Sequence, residues 1–130
     1  MNGVDQGRVA LLLAVLEKRA GQKTYNQDVY INVAGGLELN EPAADLAVCA
    51  AVASCLKDRP IPPDIAVIGE VGLAGEIRPV PQCERRIAEC ARLGFASALI
   101  PKGQAVHIKP PDGIRLLGAD TVVQAISILF

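Results

Sequence analysis

Between residues 43 and 56 the chain sets apolar side chains on every side of a helical wheel: Ala43, Ala44, Leu46, Val48, Cys49, Val52, Ala53 and Leu56. A helix with one apolar stripe lies on a surface, whereas one that is apolar all round has to be covered. The segment therefore predicts a central, buried helix, and the other elements have to supply its cover. Its start is tightly specified. Asn40 is a good N-cap, Glu41 is an acid placed near the positive end of the helix, and Pro42 suits a position whose N–H has no helical partner. Yet the first side chains inside this start are only Ala43 and Ala44.

The flanking pattern supplies the cover. Residues 5–20 carry leucines and valines at helical spacing, and Gly21 stops them. Residues 27–34 alternate Val29, Ile31 and Val33 against Tyr30 and Asn32, which predicts a strand with one buried face. Gly35-Gly36 breaks it, and residues 37–39 form a short continuation. Residues 59–64, with three prolines, read as a loop. Residues 65–69 and 76–80 read as two strands joined by a turn over 72–75, hence a hairpin. Residues 82–93 form an amphipathic helix ended by Gly94. Residues 97–101 and 114–117 are further strands, and Asp120 caps a last helix over 121–129. Strands and helices alternate without a strict βαβ repeat, so the expected fold is a single α/β or α+β layered domain over residues 1–130.

Composition limits what such a domain can do. Aromatic residues make up 3 % of the chain, with no Trp, so the core has to be built from Ala, Val, Leu and Ile. Stacking platforms for single-stranded bases are nearly absent. The formal net charge of −1 provides no global field for nucleic acid or membrane, and such binding would need a local patch. No apolar run reaches the roughly 18 residues of a membrane helix. The start also lacks a basic-then-apolar signal pattern, so a cytoplasmic location without membrane contact is expected. Cys49, Cys55, Cys83 and Cys90 form no C-x-x-C pair, and His107 is the only histidine. No metal site is expected, and the thiols read as small buried hydrophobes.

Other motifs stay plain. Gly69-Glu70-Val71-Gly72-Leu73-Ala74-Gly75 is not a dinucleotide fingerprint, and no phosphate-binding G-x-x-x-x-G-K-[ST] loop occurs. The glycines read as a tight hairpin. Glu70 and Glu76 could form an acid–base pair, but such residues more often serve as solvated turn residues or partners for Arg78. His107 has no acidic or thiol neighbour, and Ser54 and Ser127 lie inside helices without a nearby base.

One resemblance gives the helix start a meaning. It rests on Val33-Ala34-Gly35-Gly36, on Glu41-Pro42-Ala43-Ala44-Asp45-Leu46-Ala47, and on Gly69-Glu70-Val71-Gly72-Leu73-Ala74-Gly75-Glu76-Ile77-Arg78. Leu93-Gly94-Phe95 and Ile100-Pro101 follow in order. Over nearly its whole length the chain resembles the Lon-like C-terminal domain of the RadA (Sms) family of bacterial DNA-repair proteins. That domain is similar to the proteolytic domain of Lon proteases. The resemblance implies an α+β fold of the ribosomal-protein-S5-domain-2 type, assembled as a ring that is often six-membered. Active Lon proteases place a catalytic Ser at the helix start, in a P-S-A-G stretch, and a catalytic Lys on the helix after the hairpin. On this sequence those positions are Ala43 and Arg86.

A Ser–Lys dyad needs a hydroxyl and a lysine able to become a neutral base. Alanine has no nucleophile, and a guanidinium does not give up its proton in an enzyme's working range. The resemblance therefore implies a domain without peptidase activity, with an active Ser–Lys peptidase as the alternative that both residues oppose. Asp45, where a small glycine is expected, would add a negative charge beside any oxyanion. The resemblance further implies that the chain is excised from a longer parent with a zinc finger and a RecA-like ATPase, a ring-shaped motor for branch migration in recombination. ATP, Mg and Zn would belong to that parent, and no cofactor to this chain. The implied partners are copies of itself, DNA held without sequence preference, and a recombinase or helicase. A pure oligomerisation scaffold is the rival.

The candidate DNA contacts are Arg8, Lys18, Arg19, Arg59, Arg85, Arg86 and Arg92. Lys18 and Arg19 equally suit the C-terminal end of a helix dipole. Arg85, Arg86 and Arg92 alternate with Glu84 and Glu89, as on a solvated helix face.

Overall fold

The computed structural model describes residues 6–20 and 41–130. The expected strands over 27–34 and 37–39, the Gly35-Gly36 break, the Gly21 stop and the Asn40 cap lie outside the described residues. The first helix, α1 (Gln6–Ala20), ends with Lys18 and Arg19 in its last turn. The apolar segment begins not as an α-helix but as a 3-10 turn, Pro42–Ala44, with Glu41 as its cap. Pro42 has no N–H to satisfy, and the Ala44 N–H bonds the Glu41 carbonyl three residues back at 3.0 Å. Helix α2 (Asp45–Lys57) follows. It closes on Asp58, which takes a left-handed φ of 52° while its N–H reaches back to Cys55 O and Ser54 O. Leu46, Cys49, Ala50, Val52 and Ala53 are buried, so the helix is central as expected, with one exposed edge at Ala51, Cys55 and Lys57.

Strands β1 (Ile65–Val67), β4 (Ser97–Pro101) and β5 (Arg115–Ala119) form a parallel sheet in the order β1-β4-β5. Register sets Val67, Leu99 and Leu117 in one row and Ala66, Ala98 and Leu116 in the next. The alternation of strand side chains sends these rows to opposite faces. Ile65, Val67, Leu99, Leu117 and Ala119 pack with α1, α2 and the last helix, α5 (Val122–Leu129). Ala66, Ala98, Ile100 and Leu116 pack under α3 (Cys83–Arg92) and the short α4 (Lys102–Ala105). A parallel sheet covered on both faces accounts for the continuous apolar reading of residues 97–101. This is an α+β domain, with a separate two-stranded ribbon beside the parallel sheet. Among the described residues no helix is long and apolar enough to cross a membrane.

Two expectations shift. The hairpin is made by β2 (Glu70–Val71) and β3 (Ile77–Arg78), with Glu70 opposite Arg78 and Val71 opposite Ile77. Residues 65–67 are not its first arm: they pair with β4 instead. The chain leaves the sheet at Gly69, whose N–H bonds Ala43 O at 2.9 Å and whose carbonyl accepts from Leu46 N–H at 3.0 Å. The cap of α5 is Thr121 rather than Asp120. Thr121 Oγ1 accepts from Gln124 N–H at 3.1 Å, and Gln124 Oε1 accepts from the N–H of the preceding Asp120 at 2.7 Å, so the two bonds close the helix start from both sides. Helix α4 escapes sequence reading because four residues containing Gly103 carry no periodicity.

The glycine-rich run is explained by its neighbours. The hairpin is joined to the start of α5 by Val122 N–H to Gly75 O at 2.9 Å and Ile77 N–H to Asp120 O at 2.8 Å. Gly75 has φ of 79°, and a Cβ there would lie 2.9 Å from Arg19 Cβ. Strain and crowding act together, so Gly75→Ala is expected to cost about 1–2 kcal/mol or more. Urea denaturation should show a lower midpoint with unchanged slope.

Candidate functional site

A cleft of about 580 Å³ opens where the start of α2, strand β1 and helix α3 meet. Its walls include Glu41, Ala43, Ala44 and Ala47 from the α2 side, Val67 and Ile68 from the sheet, and Gln82, Arg85, Arg86, Glu89 and Cys90 from α3. Ala43 and Arg86, 43 positions apart by their numbering, thus face one cavity. None of these lining residues is Ser, Thr, Lys or His. Arg86 is held from two sides. Its Nε donates to Pro81 O at 2.9 Å, and its Nη2 donates to Glu41 Oε1 at 3.2 Å. The same Glu41 oxygen accepts a long 3.4 Å bond from Ala43 N–H. Glu41 therefore links Ala43 to Arg86 across the cleft.

The frame behind the cleft hangs on Asp45, which is 2 % exposed. Its Oδ1 accepts from Arg8 Nε at 2.6 Å, its Oδ2 pairs with Arg8 Nη2, and Oδ2 also accepts from Val71 N–H at 3.1 Å. The carboxylate is directed at α1 and the hairpin and does not line the cleft. This corrects the expectation that Asp45 would place a charge beside an oxyanion: burial demands a partner, and Arg8 supplies it.

The thiols divide by position. Burial first, and then the Asp45 carboxylate, push the Cys49 thiol up to about 12 from its ordinary value near 9. Burial likewise raises Cys83, opposed by Arg86, and raises Cys90, helped by Glu89. Cys55 is exposed, against the expectation of four buried thiols. At the hairpin tip, Glu76 is held below the usual carboxylate range chiefly by its own backbone N–H, helped by Ala74 N–H and Arg78. Its carboxylate occupies the space a Cβ on Gly72 would need, only 2.2 Å away. Glu76 acts here as a turn residue and partner of Arg78. His107 is exposed in the turn after α4, and Ser54 Oγ bonds Arg59 O at the end of α2. Among the described residues no group of three or more His, Cys, Asp or Glu could hold a metal ion.

The family model of the Lon protease (S16) C-terminal proteolytic domain matches residues 10–117. The chain belongs to this Lon C-terminal domain family. Within it, the chain is similar to proteins named DNA repair protein RadA. It is 48 % identical to the one from Salmonella typhimurium over 126 residues, covering 97 % of this chain and 27 % of the relative. Against the one from Pseudomonas aeruginosa it is 47 % identical over 128 residues, covering 98 % and 28 %. Against that of Streptococcus pneumoniae the identity is 46 % over 128 residues, covering 98 % and 30 %. The chain therefore spans less than a third of the length of these relatives.

The seven candidate DNA contacts of this Lon-type domain do not form one patch. Lys18 and Arg19 lie on α1, in the layer across the sheet from α3, which carries Arg85, Arg86 and Arg92. Arg59 is exposed in the loop after α2. Arg8 is committed to Asp45, and Arg92 Nε to Glu89 at 2.9 Å. Only Arg85 and Arg86 share the cleft. Glu41, which the sequence presents only as part of the helix start, is a cleft residue that sequence reasoning misses.

Two outcomes follow. Asp45→Ala removes the partner of Arg8 and the acceptor of Val71 N–H, and should cost about 3 kcal/mol in urea denaturation. In native protein at about pH 8, a thiol reagent should label Cys55 quickly and Cys49 only after unfolding. The folded Cys49 value lies above the unfolded one, so its contribution to stability is complete below pH 9 and falls as pH rises toward 12.

Proposed function

We propose that this Lon-type domain has lost peptidase chemistry and serves as an assembly and DNA-contact module in a protein of recombinational DNA repair. The supporting observation is the cleft: Ala43 stands at the nucleophile position, and Arg86 at the base position is tied to Glu41 and Pro81. A site that lacks both a hydroxyl and a lysine cannot run a Ser–Lys mechanism. The role in DNA repair is carried over from the names of the relatives. Within that reading the fold is of the S5-domain-2 type, copies of the domain form a ring, and the parent drives branch migration. The cytoplasm is the proposed location. Zinc, ATP and magnesium would serve other parts of the parent, where a helicase or recombinase would meet it. DNA contact is through phosphates and is non-specific, because side chains for stacking bases are scarce. A ring repeats each weak contact around its axis, so contacts add through multivalency.

A second reading, a scaffold without DNA contact, is favoured by one observation. Arg8, Arg86 and Arg92 are each paired with a carboxylate inside the chain. Two measurements on the purified chain separate the possibilities. Labelled casein should show no hydrolysis above buffer, and turnover would restore the peptidase alternative. Sedimentation velocity with a labelled oligonucleotide should show a ring-sized species that carries the label at low salt and loses it at high salt. A ring-sized species that never carries the label would make the domain a scaffold.

A further inference from the structure

Helix α3 turns one face to the cleft, with Gln82 at its start and then Arg85, Arg86 and Glu89 at spacings of three and four. The charges on this face are unequally engaged. Glu89 is paired with Arg92, and Arg86 with Glu41. Arg85 is exposed, and its guanidinium makes no hydrogen bond or ion pair among the described residues. The cleft thus contains two guanidiniums and two carboxylates: Glu89, which Arg92 engages, and Glu41, which the chain itself inserts between Arg86 and the Ala43 N–H. A guanidinium and a backbone N–H converging on an oxyanion are the parts of a carboxylate or phosphate site. Glu41 holds its place weakly: its side chain is 47 % exposed and its bond to Ala43 N–H is 3.4 Å long.

We propose that this cleft is a phosphate site occupied by the chain's own Glu41, and that a phosphodiester of a nucleic-acid strand displaces Glu41 to bind Arg85 and Arg86. This rests on the DNA-contact reading and names the place of contact. The guanidinium fork fits two phosphate oxygens, which an ammonium would not match in the same way. The cleft, at about 580 Å³, has room for a phosphate with its sugar neighbours. An exposed ion pair such as Glu41–Arg86 is worth at most a factor of about five in an equilibrium, so an incoming phosphate pays a modest displacement penalty. Glu41 thereby lowers the affinity of each single contact and leaves tight binding to the repeated sites of an assembly.

The test uses the chain itself with Glu41→Gln and Arg85→Ala. Inorganic phosphate is titrated while the Ala43 amide resonance is followed, and a labelled oligo-dT is titrated at low salt by fluorescence anisotropy. Glu41→Gln removes the competing charge and should tighten both ligands about two- to five-fold. Arg85→Ala should weaken both several-fold. Thermal melts should leave both variants folded, since Glu41 is exposed and the Arg85 guanidinium has no partner to lose. If oligo-dT binds but neither variant changes it, and phosphate leaves the Ala43 amide unmoved, the cleft proposal is overturned while the DNA reading stands. If phosphate moves the amide and responds to both variants while oligo-dT never binds, the nucleic-acid occupant is overturned along with the DNA reading.

Discussion

A carboxylate removed from water has to be paired, and in this domain Asp45 is paired with two parts of the chain at once. Arg8 brings α1 to it, Val71 N–H brings the hairpin, and Asp45 itself sits in the first turn of α2. Three segments distant in sequence are therefore registered at one point. The geometry is demanding, because the charge-assisted bonds to Arg8 are directional and any slip of α1 leaves a buried charge unmatched. The stiff junction has a consequence on the other side of α2. The helix start is also joined to Gly69 through Ala43 O and Leu46 N–H, so Glu41 and Ala43 are held at a set place above the sheet and opposite α3.

That placement explains how the α2 start keeps its form with an alanine at position 43. The hydrogen bonds that hold the α2 start use backbone atoms and Asp45, none of which depends on a nucleophile at position 43. An alanine there packs with Val80, Cys83 and Ile87 under α3 and leaves no unsatisfied group. Arginine at position 86 takes a different part. Its guanidinium bridges Pro81 O and Glu41, tying α3 to the α2 start across the cavity. It is a crosslink between the two walls.

Much of the fold was legible in the sequence. Apolar periodicity placed α1, α2, α3 and α5, because a helix face repeats over many residues and has to match its neighbours. The strand over residues 97–101 was equally plain, since burial on both faces removes the need for alternation. The hairpin differs because the apolar stretch 65–69 supplies β1 of the parallel sheet while the hairpin begins only at Glu70, and the backbone contacts of Gly69 with α2 mark where the division falls. The cap of α5 moved by one residue because Asp120 and Thr121 are both good caps, and Gln124 reaches back to choose between them.

The site divides in the same way. The residue types at positions 43 and 86, and with them the absence of a hydroxyl and a lysine there, are properties of the sequence, since chemistry at a side chain does not depend on the fold. That those two positions meet in one cleft, that Glu41 joins them, and that Asp45 points away to Arg8 were decided by tertiary structure. The physical reason is range. Helical and strand patterns are set by neighbours a few residues apart, whereas an ion pair joins whichever partners the packed core brings within bonding distance, and 37 residues separate Arg8 from Asp45.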